Sequence, residues 1–356
     1  MRSLSIQKYL SNRIFWVYVF SGGFVLSTVL LGLFISSVTI PVPNIIHIIF
    51  DNVFGWQLLT DGEGNQEAII WNIRLPRVLL AFCVGASLAL AGAAFQGLLR
   101  NPLADPYTIG VSSGAALGAV IVIFFQLTIV GLGSYTLPVV SIIGGFVTLM
   151  LVFGLVRMAS RSFAIETIIL AGIIMGAFIG AIISLIIALG DQNSMTQIIY
   201  WLYGSVAMRG WSHVQLIFPF MLVGMFILLI HYRELNALAL GEEAAEHIGV
   251  NVKRGKYFIL AGASLLTGAS VAVSGTIGFV GLVIPHVVRL ITGPNHRHVL
   301  PLSFLIGGGF LILADLVARM IIAPQELPIG VITALIGAPV FALLLIKNRF
   351  GKGKTI

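Results

Sequence analysis

Charged residues are scarce in this chain of 356 residues: they make up 9% of the sequence, whereas hydrophobic residues make up 58%. A typical soluble domain is about 25% charged. So low a charge content excludes a water-soluble fold for most of the chain, since one protein core cannot hide this much apolar surface. The composition therefore predicts that lipid is the solvent for most of the molecule.

Cysteine is almost absent, because Cys83, in an apolar run, is the only one. A single cysteine excludes an intrachain disulfide, and the sequence has no Cys/His cluster with the spacing of metal ligands. We expect Cys83 to be a small buried side chain. The sequence predicts no metal site and no catalytic residues.

Motifs that would supply energy are also missing. The chain has no G-x-x-x-x-G-K-[ST] phosphate loop, which excludes ATP hydrolysis of that kind, and no H-E-x-x-H. Ion-driven carriers usually need carboxylates inside the membrane, but only Asp315 lies well within an apolar stretch. The sequence thus predicts a transport pathway that is not an enzyme, binds no cofactor of its own and depends on an external engine.

Long hydrophobic runs are abundant. A membrane-spanning helix needs about 20 apolar residues, and ten stretches meet or approach that length: about 14–35, 78–98, 107–130, 135–157, 165–189, 212–232, 256–275, 276–291, 299–319 and 328–347. The first is longer than the apolar part of a signal peptide, about 7–15 residues, so we interpret it as an uncleaved helix. The pattern predicts an all-α integral membrane protein with about ten transmembrane helices, in which residues 1–356 form one transmembrane domain. An amphipathic segment at about 194–209 is too polar to span and fits a helix at the membrane surface.

Lysine and arginine are distributed unevenly between the two sides of such a bundle. With a cytoplasmic N-terminus and alternating spans, the cytoplasmic segments hold 16 of the 20 cations: Arg2, Lys8, Arg13, Arg100, Arg157, Arg161, Arg233, Lys253, Arg254, Lys256, Arg289, Arg297, Lys347, Arg349, Lys352 and Lys354. Because cytoplasmic loops are enriched in Lys and Arg, both termini are predicted to be cytoplasmic. Four arginines, Arg74, Arg77, Arg209 and Arg319, fall outside and need a separate reason.

Two of these arginines flank Pro76 in the motif RLPR at 74–77, where the second span enters from outside. One interpretation is that both are anchors whose charged ends reach the membrane surface. The other is that they bind carboxylates of an external partner, because arginine makes bidentate charge-assisted bonds to carboxylates. Arg319, at the outer end of the ninth span, either joins that surface or pairs with Asp315 four residues earlier.

The longest cytoplasmic loop, at about 233–255, contains the segment LALGEEAAEHIGV at 238–250. Its glutamates and alanines predict a short acidic helix that ends at Gly249. The segment is either a solvated loop helix or a contact for a cytoplasmic partner. Glu243 and His247 lie one turn apart, but two ligands are too few for a metal site.

Small residues recur every four positions on two spans. Such ladders let helices approach each other backbone to backbone. For the second span, with Ala81, Gly85, Ala89, Ala93 and Gly97, we expect tight packing within the chain. For the fifth span, with Gly172, Gly176 and Gly180, a smooth face along a wide pathway stays open as an alternative.

Five motifs together resemble one family of membrane proteins from about residue 70 onward. They are RLPR at 74–77, NPLADP at 101–106, GFVGLVIPH at 278–286, LADLVAR at 313–319 and LPIGVITALIGAPVF at 327–341. In order and spacing they are similar to the permeases of type II ABC importers for iron–siderophore, haem and cobalamin. The segment E-A-A-x-x-x-G at 243–249 also resembles the coupling motif of ABC importer permeases, although the I-x-L-P that extends that motif is not present after Ile259.

The resemblance implies a second permease subunit, two cytoplasmic ATPase subunits that bind ATP and magnesium, an external substrate-binding protein and a prokaryotic plasma (inner) membrane; no nucleic-acid partner is expected. The residues that match binding-protein docking are Arg74, Arg77 and Arg319. Those that match ATPase coupling are Gly241, Glu242, Glu243, Ala244, Ala245 and Gly249. Those that match the pathway or inner gate are Asn101, Leu103, Gly172, Gly176 and Gly180, with the turn at 159–166 nearby, where Ala164, Ile165 and Glu166 depart from the expected small polar residues.

The leading hypothesis is therefore an ABC importer permease for a bulky metal chelate, with ferric siderophore as the first candidate and haem and cobalamin still open. The alternative is a secondary transporter driven by an ion gradient, which the lack of intramembrane acids opposes. A membrane-embedded enzyme would need a catalytic constellation that the sequence lacks. The partner permease is either an identical chain or a paralogue.

Overall fold

The computed structural model describes residues 2–36, 38–55, 64–159 and 164–352, and the side chains within 13–36, 38–55, 65–159 and 164–343. All regular structure in these ranges is helical. The α-helices are α1 (Arg2–Phe34), α2 (Val42–Phe54), α3 (Gly64–Glu67), α4 (Leu75–Leu98), α5 (Val111–Phe124), α6 (Thr136–Ala159), α7 (Ile165–Leu189), α8 (Gln192–Leu202), α9 (Trp211–Ile230), α10 (Tyr232–Leu238), α11 (Glu242–His247), α12 (Val252–Ser274), α13 (Val280–Thr292), α14 (His296–Met320) and α15 (Ile329–Lys352). A π-helix (Ala68–Arg74) and two 3₁₀ turns (Pro106–Ile109 and Gly133–Tyr135) complete the set.

Each of the ten predicted apolar stretches contains a helix. Within the described residues, seven helical segments are long and apolar enough to cross a membrane: Arg13–Phe34, Asn65–Leu98, Gly133–Ala159, Ile165–Leu189, Trp211–Ile230, Val252–Ser274 and His296–Met320. The apolar helices Val111–Phe124, Val280–Thr292 and Ile329–Leu343 are shorter. The all-helical membrane class is confirmed, whereas the number of spans and the side on which each end lies stay predictions.

The segment at 36–77, which separates the first two predicted spans, is partly helical. It contains α2, whose buried residues Ile45 and Ile48 pack with Ile70 of the π-helix. The π-helix then continues directly into α4, so that this span begins as one long helical segment at Asn65. The sequence analysis missed α2 because its 13 residues fall short of a spanning length.

The predicted surface helix at 194–209 is too long. The observed helix, α8, ends at Leu202, and Gly204 adopts a left-handed conformation with φ +72°. A side chain at Gly204 would overlap the carbonyl oxygen of Thr276, so the chain must turn there with glycine to pass that segment closely.

Helix α4 lies at the centre of the bundle, with every residue from Cys83 to Leu98 buried. A Cβ atom added at Gly85 would overlap the carbonyl oxygen of Gly307 in α14, and one at Gly92 would overlap that of Gly281 in α13. The small residues of α4 therefore let two neighbouring helices touch its backbone. The tight packing predicted for this ladder is confirmed.

A short non-helical segment, 275–279, separates α12 from α13 inside the bundle. The Tyr107 hydroxyl donates to the Ile277 carbonyl at 2.9 Å and accepts from the Ile277 amide at 2.8 Å. The Ser205 amide donates to the Ser274 carbonyl at 2.7 Å. Irregular backbone inside a membrane protein requires internal partners of this kind, since lipid offers none.

The two ends of the bundle carry different sets of residues. At one end, the first turn of α14 meets the end of α10, where the His296 amide donates to the Asn236 side-chain oxygen at 2.9 Å. At the other end, the last turn of α14 meets the end of α1. Following the predicted orientation, we name these the inner end and the outer end. The four arginines left outside the predicted cytoplasmic segments gather at the outer end.

Candidate functional sites at the two ends of the bundle

Two of the predicted docking arginines are buried at the outer end, where they bind the chain itself. Arg74 Nη1 donates to the Leu33 carbonyl at 2.9 Å, and its Nη2 donates to the Val38 carbonyl. Arg319 Nη2 donates to the Gly32 carbonyl at 2.6 Å. Carbonyls at the end of a helix lack intrahelical partners, so both side chains stabilise the end of α1 and the segment after it. Neither presents its charge on the surface.

Arg77 makes two ion pairs in the same region. Its guanidinium lies 2.8 Å from an Asp315 carboxylate oxygen and 2.8 Å from a Glu326 oxygen. Asp315 is 2% exposed, whereas Glu326 is 39% exposed. Of the two alternatives for Arg319, the ion pair with Asp315 is not observed, because Arg77 pairs with that carboxylate and Arg319 reaches back to α1.

The fourth outer arginine lines a cleft that the sequence analysis did not identify. The cleft has a volume of ≈ 730 Å³ and is lined by Asn72, Ile73, Arg77, Ala207, Met208, Arg209, Gly210, Pro324 and Glu326. Burial lowers the pKa of Arg209, whose Nη1 lies 3.4 Å from His213 Nε2. Met208 beside it is fully exposed with φ +56°. Arg209 lies outside the predicted cytoplasmic segments, against the positive-inside rule. That exception was a sequence signal that could have indicated this cleft.

At the inner end, the predicted short acidic helix is present as α11. Gly241, with φ +117°, precedes it, and Gly249, with φ +86°, follows it. The Lys256 ammonium lies 2.5 Å from a carboxylate oxygen of Glu242, which ties the start of α11 to the first turns of α12. A force on α11 therefore reaches α12 through a charged contact as well as through the backbone.

The two alanines of α11 do not face outward together. Ala245 is fully buried and packs in the main core of the chain, and Ala244 is partly covered. The exposed residues are Glu243, Glu246, His247, Ile248 and Gly249. Ala245 was matched to ATPase coupling, but its size is restricted by its own chain, and the outward surface is formed by the residues just named.

The residues predicted for a pathway or gate do not form one cluster. The Asn101 side-chain oxygen accepts from the Leu103 amide at 2.9 Å, so Asn101 shapes its own loop while Leu103 is exposed. In α7, Gly172 packs closely on the backbone of Thr108 and Ile109, whereas nothing lies within 4 Å of a Cβ atom at Gly180.

At the intermediate residue of this ladder, Gly176, an added Cβ atom would lie 3.6 Å from the Ser113 hydroxyl. One end of the ladder is therefore a packing contact and the other end is open. The part of the predicted 159–166 turn at 160–163 lies outside the described residues. Across the described ranges, no three His, Cys, Asp or Glu residues are grouped so as to hold a metal ion.

Comparison with known proteins agrees with this architecture. The model of the FecCD transport family matches residues 24–347. The uncharacterized ABC transporter permease protein YvrB of Bacillus subtilis (strain 168) is 50% identical over 351 residues, which cover 99% of each chain. The cobalamin import system permease protein BtuC of Halobacterium salinarum is 43% identical over 290 residues, 80% of this chain and 74% of its own. The molybdate import system permease protein MolB of Haemophilus influenzae is 37% identical over 326 residues, 91% of this chain and 93% of its own.

A solved chain has the same fold. It is described as an inward-facing metal-chelate type ABC transporter, and it matches with a TM-score of 0.81 and 35% identity over 95% of this chain and 99% of its own. The family model covers all five motifs and both ends of the bundle. The chain therefore belongs to the FecCD transport family and is a multi-pass permease of the ABC transporter type in the prokaryotic plasma membrane.

Proposed function

We propose that this chain is the membrane-spanning subunit of an importer that takes up a bulky metal chelate, with ferric siderophore as the first candidate. In this proposal the subunit has ten spans with both termini in the cytoplasm. It pairs with a second permease, identical or paralogous, and with two ATPase subunits that hold ATP and magnesium. An external binding protein delivers the substrate at the outer end.

The exposed helix α11 is the observation that carries this proposal. It stands between α10 and α12 at the inner end, its buried Ala245 anchors it to the core, and Glu242 ties it to Lys256. Its exposed face combines charge at Glu243 with an apolar side chain at Ile248, a combination suited to a protein contact. Movement of an ATPase against this face would act on α12 directly, which suits alternating access by rocking of helices.

Substitutions on the exposed face of α11 test this role. We expect Glu243→Arg and Ile248→Asp to reduce the ATPase recovered with a tagged permease by roughly tenfold or more, since central interface residues often contribute about 2 kcal/mol. Arg297→Glu, on the inner end but outside α11, is the matched control and should leave recovery unchanged. Ala245→Trp is unsuitable, because it would overpack the chain's own core. Wild-type recovery and substrate-stimulated hydrolysis in both α11 variants would reject α11 as the coupling element.

Docking of the binding protein on Arg74, Arg77 and Arg319 stays a prediction, but the three arginines would contribute to it in different ways. Arg74 and Arg319 would support the outer surface from beneath, through their bonds to the end of α1. Arg77 lines the outer cleft, where a carboxylate of the binding protein would have to compete with Glu326 for its guanidinium. Reversing Arg74 or Arg319 to Glu would set a carboxylate against backbone carbonyls, so lost docking in those variants would also follow from local misfolding.

The substrate is best assigned by uptake, because relatives are named for different cargoes, cobalamin and molybdate among them. Membrane vesicles that contain the complete transporter should accumulate labelled ferric siderophore in an ATP-dependent manner, and to a greater extent than haem, cobalamin or molybdate. Preferential uptake of one of the other three would replace the siderophore assignment while leaving the importer proposal in place.

The ion-driven alternative is not favoured. Asp315, the one acid well inside a predicted span, is engaged by Arg77 and so does not offer a free proton or ion relay. Membership of an ABC transporter family points to ATP as the energy source instead.

A further inference from the structure

A second cleft lies at the inner end, between the junction of α9 with α10 and the first turn of α12. Its volume is ≈ 440 Å³, and it is lined by His231, Arg233, Glu234, Gly249, Val250, Asn251, Arg254 and Gly255. Two of the lining residues, Arg233 and Arg254, have exposed side chains. Glu234 is the single carboxylate in the lining. Of the residues matched to ATPase coupling, Gly249 alone lines this cleft.

Aromatic side chains, rather than carboxylates, support the two arginines. Arg254 lies over the ring of Phe258 at 5.6 Å, and Arg233 Nε donates to the Tyr232 hydroxyl at 3.0 Å. The His231 ring also stacks on Phe258, with 5.1 Å between the ring centroids. Among the described residues neither arginine has a carboxylate within 4 Å, and Glu234 acts on Arg233 by electrostatic attraction without forming an ion pair. Both positive charges are therefore still available to an anion.

Exposed apolar side chains follow along the same two helices, α9 and α12. Phe226 and Ile230, in the last turns of α9, are exposed, and so is Phe258 in α12. Helix α9 is one of the seven segments apolar enough to span, so in this inference its exposed side chains lie at membrane depth. Cationic residues at the end of such a helix, together with aromatic rings, lie at the depth of phospholipid headgroups. A ligand of this cleft would thus meet positive charge at one end and hydrocarbon at the other.

We propose that this cleft binds one anionic phospholipid of the inner leaflet, with its phosphate between Arg233 and Arg254 and its acyl chains along Phe226, Ile230 and Phe258. Basic pockets between membrane helices on the cytoplasmic side recognise such headgroups through charge. A free phosphate would match the arginines but not the apolar surface. An ATPase contact would use the charge but would have no use for side chains at membrane depth.

Lipid titration of the purified complete transporter, followed by native mass spectrometry, tests the proposal. The probes are phosphatidylglycerol and phosphatidylcholine with matched acyl chains. Wild type should bind one phosphatidylglycerol in preference to phosphatidylcholine. The variant Arg233→Gln/Arg254→Gln should lose about 25-fold in phosphatidylglycerol affinity, because each basic residue near an anionic headgroup contributes about 1 kcal/mol, or about fivefold. Arg297→Gln, an exposed arginine of the inner end outside the cleft, is the control and should keep the preference.

Further measurements distinguish lipid binding from a folding defect, from phosphate binding and from an ATPase contact. Arg233→Lys/Arg254→Lys keeps the charge and should retain most of the preference, which guards against a folding defect in the glutamine variant. Millimolar inorganic phosphate should not displace the lipid. The proposal is overturned if the glutamine variant keeps the preference, if Arg297→Gln loses as much, or if inorganic phosphate competes. It is also overturned if the glutamine variant loses the ATPase while its lipid binding is unchanged, which would make the cleft a protein contact.

Discussion

At the scale of the residue, Arg77 joins three parts of the outer end. Its own helix is α4, Asp315 belongs to α14, and Glu326 lies in the segment between α14 and α15. Asp315 is almost fully buried, and Arg77 stabilises its charge by neutralising it and donating hydrogen bonds to it, while Arg319 adds electrostatic attraction. Glu326 is partly exposed, and water screens its share of the interaction.

Removal of this guanidinium should be strongly destabilising. Arg77→Gln leaves a buried carboxylate without its cation, and we expect the free energy of unfolding in detergent to fall by about 3–5 kcal/mol. Glu326→Gln removes the exposed partner alone and should cost less than about 1 kcal/mol. Arg77→Gln/Asp315→Asn should recover part of the loss. Tryptophan fluorescence during denaturant unfolding measures all three, and equal effects of the two single variants would contradict the assignment.

The residue scale also shows where prediction from sequence stops. The RLPR motif correctly placed Arg77 near one end of a predicted span, because a charge beside Pro76 at the edge of an apolar run is a local signal. The observed partner of Asp315 was not among the alternatives considered, since a sequence reveals contacts one helical turn apart but not contacts between α4 and α14. The inward orientation of the Arg74 side chain could not be predicted for the same reason, because its hydrogen-bond partners lie at the end of α1 and in the segment after it.

At the scale of the element, glycines determine how closely α4 approaches its neighbours. The repeat of small residues at every fourth position is a local pattern, and it predicted this packing correctly. The end of α8 could not be predicted in that way, because Gly204 turns the chain against Thr276, a residue far along the sequence. The helix α2 was missed for another reason: it is apolar but too short to be distinguished from a loop by a spanning-length criterion.

The contact of α4 with α13 yields a prediction at this scale. Gly92→Ala would place a methyl group onto the Gly281 carbonyl, which is backbone and has to shift as a whole. We expect a loss of about 3 kcal/mol, at the upper end of the usual effect of overpacking. Gly180→Ala in α7 is the matched control, because nothing lies within 4 Å of the added atom. Thermal unfolding of the two purified variants compares them, and similar midpoints would argue against the close approach.

At the scale of the whole molecule, the charges separate into two ends. The inner end carries α11 and the lipid cleft, and the outer end gathers Arg74, Arg77, Arg209 and Arg319. The sequence predicted this division, since the positive-inside rule depends on counts rather than on contacts. It did not predict the two clefts, which form only where loops distant in sequence meet.

Labelling of single cysteines tests the orientation of the molecule. In a Cys83→Ala background, Met208→Cys should react with an impermeant thiol reagent in intact cells, and Glu243→Cys should react only in inverted vesicles that contain the permease without its proposed ATPase. Both native side chains are exposed, so access depends on the side of the membrane rather than on burial. The opposite pattern would reverse the orientation and assign the two ends to the other faces.

The Arg77–Asp315 pair also bears on the order in which the protein is made. The two residues are 238 positions apart, so at about 5–20 residues per second the arginine emerges from the ribosome roughly 10–50 s before the aspartate. In that interval Arg77, near the beginning of α4, can extend its long side chain to the headgroups. Asp315 has a short side chain and lies further from its helix end, but by the time α14 is inserted its cation is already in the membrane. Synthesis in this order spares the bilayer an unpaired buried carboxylate, and a circular permutant that made α14 before α4 would lose that protection.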